Sequence, residues 1–190
     1  TSRRQRQMCI RDRLSTYPHL EIRELRGNVN TRLAKLDNGE YQALILACAG
    51  LDRLGLASRI SARLDPQVIL PAAGQGALAI ECRVDDPAVD ALLASLHDRD
   101  TADCVTAERA LNRQLGGSCQ VPIAAYAELD EPSAHLRLRA LVGSLDGATL
   151  LTAEHRAPRD QAGLLGVRVA EELLAAGAGE ILAEVYGSSL

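Results

Sequence analysis

The residue whose setting most invites chemistry is Cys119, in the stretch LGGSCQVPI. A thiol placed after Gly116, Gly117 and Ser118 can be a nucleophile, a metal ligand, half of a disulfide or a packing residue, because glycines allow a tight loop and the close approach of a bulky group. The other cysteines, at 9, 48, 82 and 104, are far apart and form no Cys-x-x-Cys or Cys/His ligand spacing. That pattern argues against structural zinc and against a disulfide framework. Cys48 in LILACAG, Cys82 at the end of ALAIEC and Cys104 in a predicted helix read as small packing residues. The four histidines share no spacing. Spacing alone leaves Cys119 either a functional thiol or an incidental one.

A second chemical group is arginine. Residues 1–32 hold eight arginines against Asp12, Glu21 and Glu24, in a chain whose formal net charge is -4. The planar guanidinium fork suits bidentate binding of carboxylate or phosphate, and Lys35 is the single lysine. A codon-biased genome would give the same imbalance without a functional cause. A basic head also invites a nucleic-acid reading, but four Tyr with no Phe or Trp leave few stacking platforms.

At 190 residues, 47% hydrophobic and 24% charged, the composition is that of a soluble globular protein of one domain or two small ones. No run of 18 apolar residues occurs, and TSRRQRQMC lacks an apolar signal core, so neither a membrane span nor a secretory signal is supported. The expected location is cytoplasmic.

The elements that must position these groups follow from pattern. HLEIREL (19–25) alternates as a strand does, Gly27-Asn28 opens a helix through VNTRLAKL that stops at Asn38-Gly39, and the apolar run 41–50 suits a strand buried on both faces, followed by a short helix at 51–55. Pro71, Gly74 and Gly76 separate two short apolar strands in a crossover. Residues 87–98 and 101–117 read as helices, the second with Thr101 or Asp103 near its start and Gly116-Gly117 at its end. The period then changes to two for three strands, with Asp146-Gly147 a hairpin signal, and two helices close the chain. The division is an α/β piece (1–70), a crossover and returning strand (71–94), and an α+β unit with a three-stranded antiparallel sheet (95–190).

Six stretches share one resemblance: RRQ, LRGNVNTRLAKLDNGEYQALILACAGLDRLG, LPAAGQGALAIECR, TAERALNRQLGGSCQVPIAAYAEL, LRALVGS and EILAEVY. In this order they resemble the porphobilinogen deaminases, or hydroxymethylbilane synthases, over essentially all of 14–190. The resemblance implies tetrapyrrole (heme) biosynthesis, with four porphobilinogen units condensed head to tail and ammonia lost at each step. It implies a dipyrromethane primer held by a thioether to Cys119 and a monomer, while the scarce aromatics, the acidic remainder and the lack of a long apolar run lead to the expectation of no nucleic acid or membrane partner. The carboxylates of the pyrrole chain imply fixed cations, and by motif position Arg26, Arg32, Arg53, Arg3 and Arg4 match the family's carboxylate-binding arginines. Ser2 matches a hydroxyl contact there, and Gln75 of GQG a crossover residue near the cofactor. For Arg3 and Arg4 the residues alone favour a solvated charge run. For Gln75 a turn amide is the alternative.

The fold implied is a remnant of a periplasmic-binding-protein-like α/β domain followed by the α+β domain that carries the cysteine. Two departures stand out. The chain reads as a C-terminal fragment: the family's first domain, with the aspartate that assists proton transfer, has no matching motif here, and loss of such a group costs roughly 10²–10⁴-fold. The isolated fragment is therefore expected to be inactive, with residues 77–86 left without sheet partners. MCIRDR (8–13) also lengthens the spacing to LRGN and resembles sequencing read-through, which makes segment 1–13 doubtful. The competing function is a non-catalytic, arginine-lined module for small anions, which would have no need of Cys119.

Overall fold

The computed structural model describes residues 19–187 apart from 24, 118–120, 131 and 145. Its organised centre is a two-layer unit, one sheet covered on one face by helices. Three strands, β1 (Ile123–Asp130), β2 (His135–Gly143) and β3 (Leu150–Pro158), form an antiparallel meander in the order β1-β2-β3. The expected hairpin is present: Gly147 adopts φ 75, which a side chain would strain, and Ser144 and Thr149 close the turn through a 2.9 Å backbone bond.

Upstream of the sheet in the chain lie α1 (Val29–Asp37), α2 (Cys48–Arg53), α3 (Pro87–Leu93) and α4 (Arg99–Gln114), and α5 (Ala162–Ala175) and α6 (Ala178–Gly187) follow it. Strand alternation sends Ile123, Ala125, Ala127, Leu136, Leu138, Ala140 and Val142 to the helical face, where they meet Ala107 and Leu111 of α4 and Leu165, Val169 and Leu173 of α5. The two helices approach closely at Gly166, where a Cβ would fall 2.2 Å from the Ala107 carbonyl oxygen and 2.7 Å from the Ala110 Cβ. Glycine is required there for the packing distance, not for its backbone freedom. α4 starts at Asp98, whose carboxylate accepts the Thr101 N–H at 2.8 Å, so neither Thr101 nor Asp103 is the cap. Asp103 and Asp100 are instead bound by Arg159 from the far end of β3.

The first part of the chain departs from the expected α/β domain. α1 forms where expected, capped by Asn28, but no described residue of 19–98 is in a strand. The stretches 19–25 and 41–47 run irregularly, and the last residues of the expected second strand turn into α2. Neither finds an adjacent strand with which to exchange backbone hydrogen bonds, and an apolar pattern cannot make a strand without one. Residues 66–82 likewise form turns and irregular chain rather than two strands. The expected exposure of ALAIEC is present, with Leu78 71% and Ile80 57% exposed. Cys82 is exposed with it, its Sγ 3.6 Å from Asp90, so it is not a packing residue.

Candidate functional site

The LRGNVNTR loop is shaped by Gly27 and Asn28. Gly27 has φ 116, and a Cβ there would lie 2.8 Å from the Thr31 methyl. Asn28 then caps α1, its side-chain oxygen accepting from the Thr31 N–H at 2.8 Å and the Thr31 hydroxyl at 2.9 Å. Arg32, one turn into α1, folds back so that its Nε donates to the Gly27 carbonyl at 2.8 Å, which brings it beside the residue that follows Arg26. Arg26 is exposed on the loop, and Arg53 is exposed in the last turn of α2.

The ion pairs of this region discriminate among its arginines. Arg59 is bound to Asp37 at 2.5 Å and Arg63 to Asp52 at 2.8 Å. Arg53, adjacent to Asp52 in sequence, has no carboxylate partner among the described residues. An exposed guanidinium with its donors uncommitted is the chemistry a polycarboxylate ligand requires. Ser2, Arg3, Arg4 and Cys119 lie outside the described residues.

The approach to Cys119 is nevertheless built from described groups. α4 ends at Gln114, the chain turns at Gly116, with φ 65, and Gly117 is then held on both sides by one residue. Its N–H donates to the Asn112 carbonyl at 2.6 Å, and its own carbonyl accepts from the Asn112 side-chain amide at 3.2 Å. The fit leaves no room for a side chain, since a Cβ on Gly117 would sit 2.0 Å from Asn112 Oδ1. The second glycine of GGSC is thus a packing requirement, and Asn112 is a residue that motif reading passed over.

Gln75 stands elsewhere. It is exposed on the turn Gly74–Gly76, whose glycines have φ 72 and 86, at the rim of an open cavity of about 480 Å³ between α4 and β1. Asp100, Thr101, Cys104, Glu108, Tyr126 and Glu128 line it with the turn, and none of Arg26, Arg32 or Arg53 does. Glu108 is the group that joins its walls. Only 5% exposed, it accepts the Gly74 N–H at 2.6 Å and the Ala127 N–H at 2.8 Å. Burial pushes its carboxyl above the usual glutamate range, against the opposite pull of those two N–H groups. Burial likewise raises the Cys104 thiol to about 11, which keeps it protonated and inert at neutral pH.

The crossover is tied down at two further points. The Pro71 carbonyl accepts the Ala125 N–H at 3.0 Å, and Arg139 reaches the Pro66 carbonyl at 3.4 Å while lying over the Tyr126 ring, 5.8 Å from its centroid. No group of three or more His, Cys, Asp or Glu among the described residues could hold a metal. No described helix is long and apolar enough to cross a membrane.

Residues 1–91, which contain the arginine loop and Gln75, match the family model for "Porphobilinogen deaminase, dipyromethane cofactor binding domain". Residues 102–175, which contain Asn112 and Cys119, match the model for "Porphobilinogen deaminase, C-terminal domain". The chain belongs to the porphobilinogen deaminase family. Porphobilinogen deaminases of Bordetella parapertussis and Bordetella bronchiseptica are each 56% identical to it over 189 residues, an alignment covering 100% of this chain and 59% of each relative. The chain therefore spans somewhat over half the length of the curated relatives it matches. That cofactor-binding model covers the stretch with Arg26 exposed on its loop, Arg32 half-buried in α1 and Arg53 exposed in α2, and dipyrromethane is the cofactor its description names.

Proposed function

We propose that these residues are the anchoring and part of the binding machinery of a hydroxymethylbilane synthase, which condenses porphobilinogen head to tail with release of ammonia. Cys119 is the attachment point, its sulfur bonded as a thioether to the primer. When bound, the dipyrromethane group supplies the pyrrole carbon to which the first substrate unit is joined. The protein's part is to hold charge and geometry. Arg26, Arg32 and Arg53 pair with the acetate and propionate groups of the bound pyrroles, each as a fork to a carboxylate. Asn112 fixes the chain direction at Gly117, two residues before the sulfur. Arg3 and Arg4, with the Ser2 hydroxyl, add contacts of the same kind, and Gln75 offers an amide from the crossover.

The observation that carries this reading is the location of the arginine loop inside the residues matched by the cofactor-binding model, with Arg53 uncommitted to any described carboxylate. We further infer that 19–47 belongs to an α/β domain of the periplasmic-binding-protein type, completed by strands from the part of the relatives' length that this chain does not cover. The 190 residues alone then do not turn over substrate. The whole protein acts as a cytoplasmic monomer on a small-molecule substrate, without nucleic acid or membrane partners.

The test uses the complete reading frame containing this chain. Intact mass and Ehrlich's reagent should find a dipyrromethane on the tryptic peptide of Cys119, and Cys119→Ala should carry none and consume no porphobilinogen. Primer on the Cys119→Ala protein would overturn the assignment. Substrate binding without any covalent primer would favour a plain anion-binding module.

A further inference from the structure

Among the described residues Glu108 is the one buried charged side chain, and no basic group lines the cavity it faces. A buried carboxylate is costly unless its oxygens are satisfied, so its presence here needs a reason other than an ion pair. The reason lies in the free edge of β1. Along that edge Ala125 and Ala127 present successive N–H groups away from β2. The Pro71 carbonyl takes the first, as a fourth strand would. The crossover then turns away through bonds from the Gln75 N–H to the Ala72 carbonyl, at 3.0 Å, and the Ala77 N–H to the Gly74 carbonyl, at 3.3 Å. Glu108 fills the place of the lost strand carbonyl at Ala127 with one oxygen and fastens the departing turn through the Gly74 N–H with the other. Two donors require two acceptors. A glutamine has one, and its amide nitrogen would face the second N–H.

We propose that Glu108 is a positioning residue that bolts the 72–77 turn to the open edge of β1 and thereby sets where Gln75 is presented. The proposal rests on the reading of Gln75 as a residue on the cofactor side. In the complete reading frame, residue-level hydrogen exchange should find the Gly74 and Ala127 amides protected alike, since one movement of the carboxylate releases both. A Gly74 amide that exchanges as freely as an open turn overturns the bolt without any variant being made. Glu108→Gln should lower protection at Gly74 or Ala127 about tenfold, while Leu138 and Val142 amides stay as they were. Loss at all four positions would mean a general structural role and overturn positioning.

The functional arm compares kcat and KM for Glu108→Gln and Gln75→Ala. The two variants should impair the same parameter, by similar factors. A loosened turn with unchanged kinetics in Glu108→Gln overturns positioning. Gln75→Ala without effect, while the exchange results hold, removes the role of Gln75 and leaves the bolt in place.

Discussion

In residues 99–187, Leu111, Leu136, Leu138, Val142 and Val169 are sealed between the sheet and helices α4 and α5, whereas in 19–98 the buried apolar side chains are Leu25, Leu33, Leu51 and Ile69. That first region leaves Leu78, Val84 and Leu92 71%, 88% and 74% exposed. Composition does not separate the two regions, since both carry long apolar runs. Closure does. The second region contains three paired strands and the helices to cover one face, while the first contains helices and irregular stretches with no described strand beside them. An apolar residue stabilises only when there is a surface to receive it.

Substitutions should therefore weigh very differently on the two sides. The largest loss is expected from Gly166→Ala, because backbone atoms of α4 rather than flexible side chains occupy the space; overpacking of this kind costs on the order of 3 kcal/mol or more, read as a fall in the urea midpoint. Leu138→Ala, at zero exposure, should cost about 2–5 kcal/mol in the same measurement. If either is neutral, the second region is not the tightly packed body described above.

Glu108→Gln joins the two regions and should cost about 1–3 kcal/mol, for one backbone N–H left without an acceptor. Its pH dependence has a definite sign. Because burial raises the carboxyl above the ordinary 4.5, the folded state holds the proton more tightly than the unfolded chain does. The stability this group adds is complete below that value and fades as pH climbs through the raised one. The gap between wild type and Glu108→Gln should accordingly narrow from acid toward neutral pH. A gap that widens would reverse the assignment of burial as the dominant cause. The smallest effect belongs to Leu78→Ser, expected within about 0.5 kcal/mol, since the side chain is already in water. A loss as large as that of Leu138→Ala would erase the contrast between the regions.

The second region was legible from sequence because its signals are local: a period of two, Asp146-Gly147 at the hairpin and a double glycine after α4. The stretches 19–25 and 41–50 carried equally good patterns and became no strands, since alternation states which faces could be buried and not whether a neighbour exists to pair with. Two site residues were missed for related reasons. Glu108 lies at helical spacing among Cys104, Ala107, Leu111 and Leu115, so its place on an apolar stripe was the available signal. Its partners, however, are backbone N–H groups, which no side-chain motif encodes. Asn112 was hidden in the same way, since what it grips is the Gly117 backbone.

The bonds at the rim of β1 have one more consequence. An exposed strand edge offers its amides to any passing chain, and a molecule that also carries a bare ALAIEC segment supplies a suitable apolar strand for capture. With Ala125 already given to Pro71 and Ala127 to Glu108, those two amides are closed to other copies of the same protein. The carboxylate that fastens the turn thus also masks one amide of that edge.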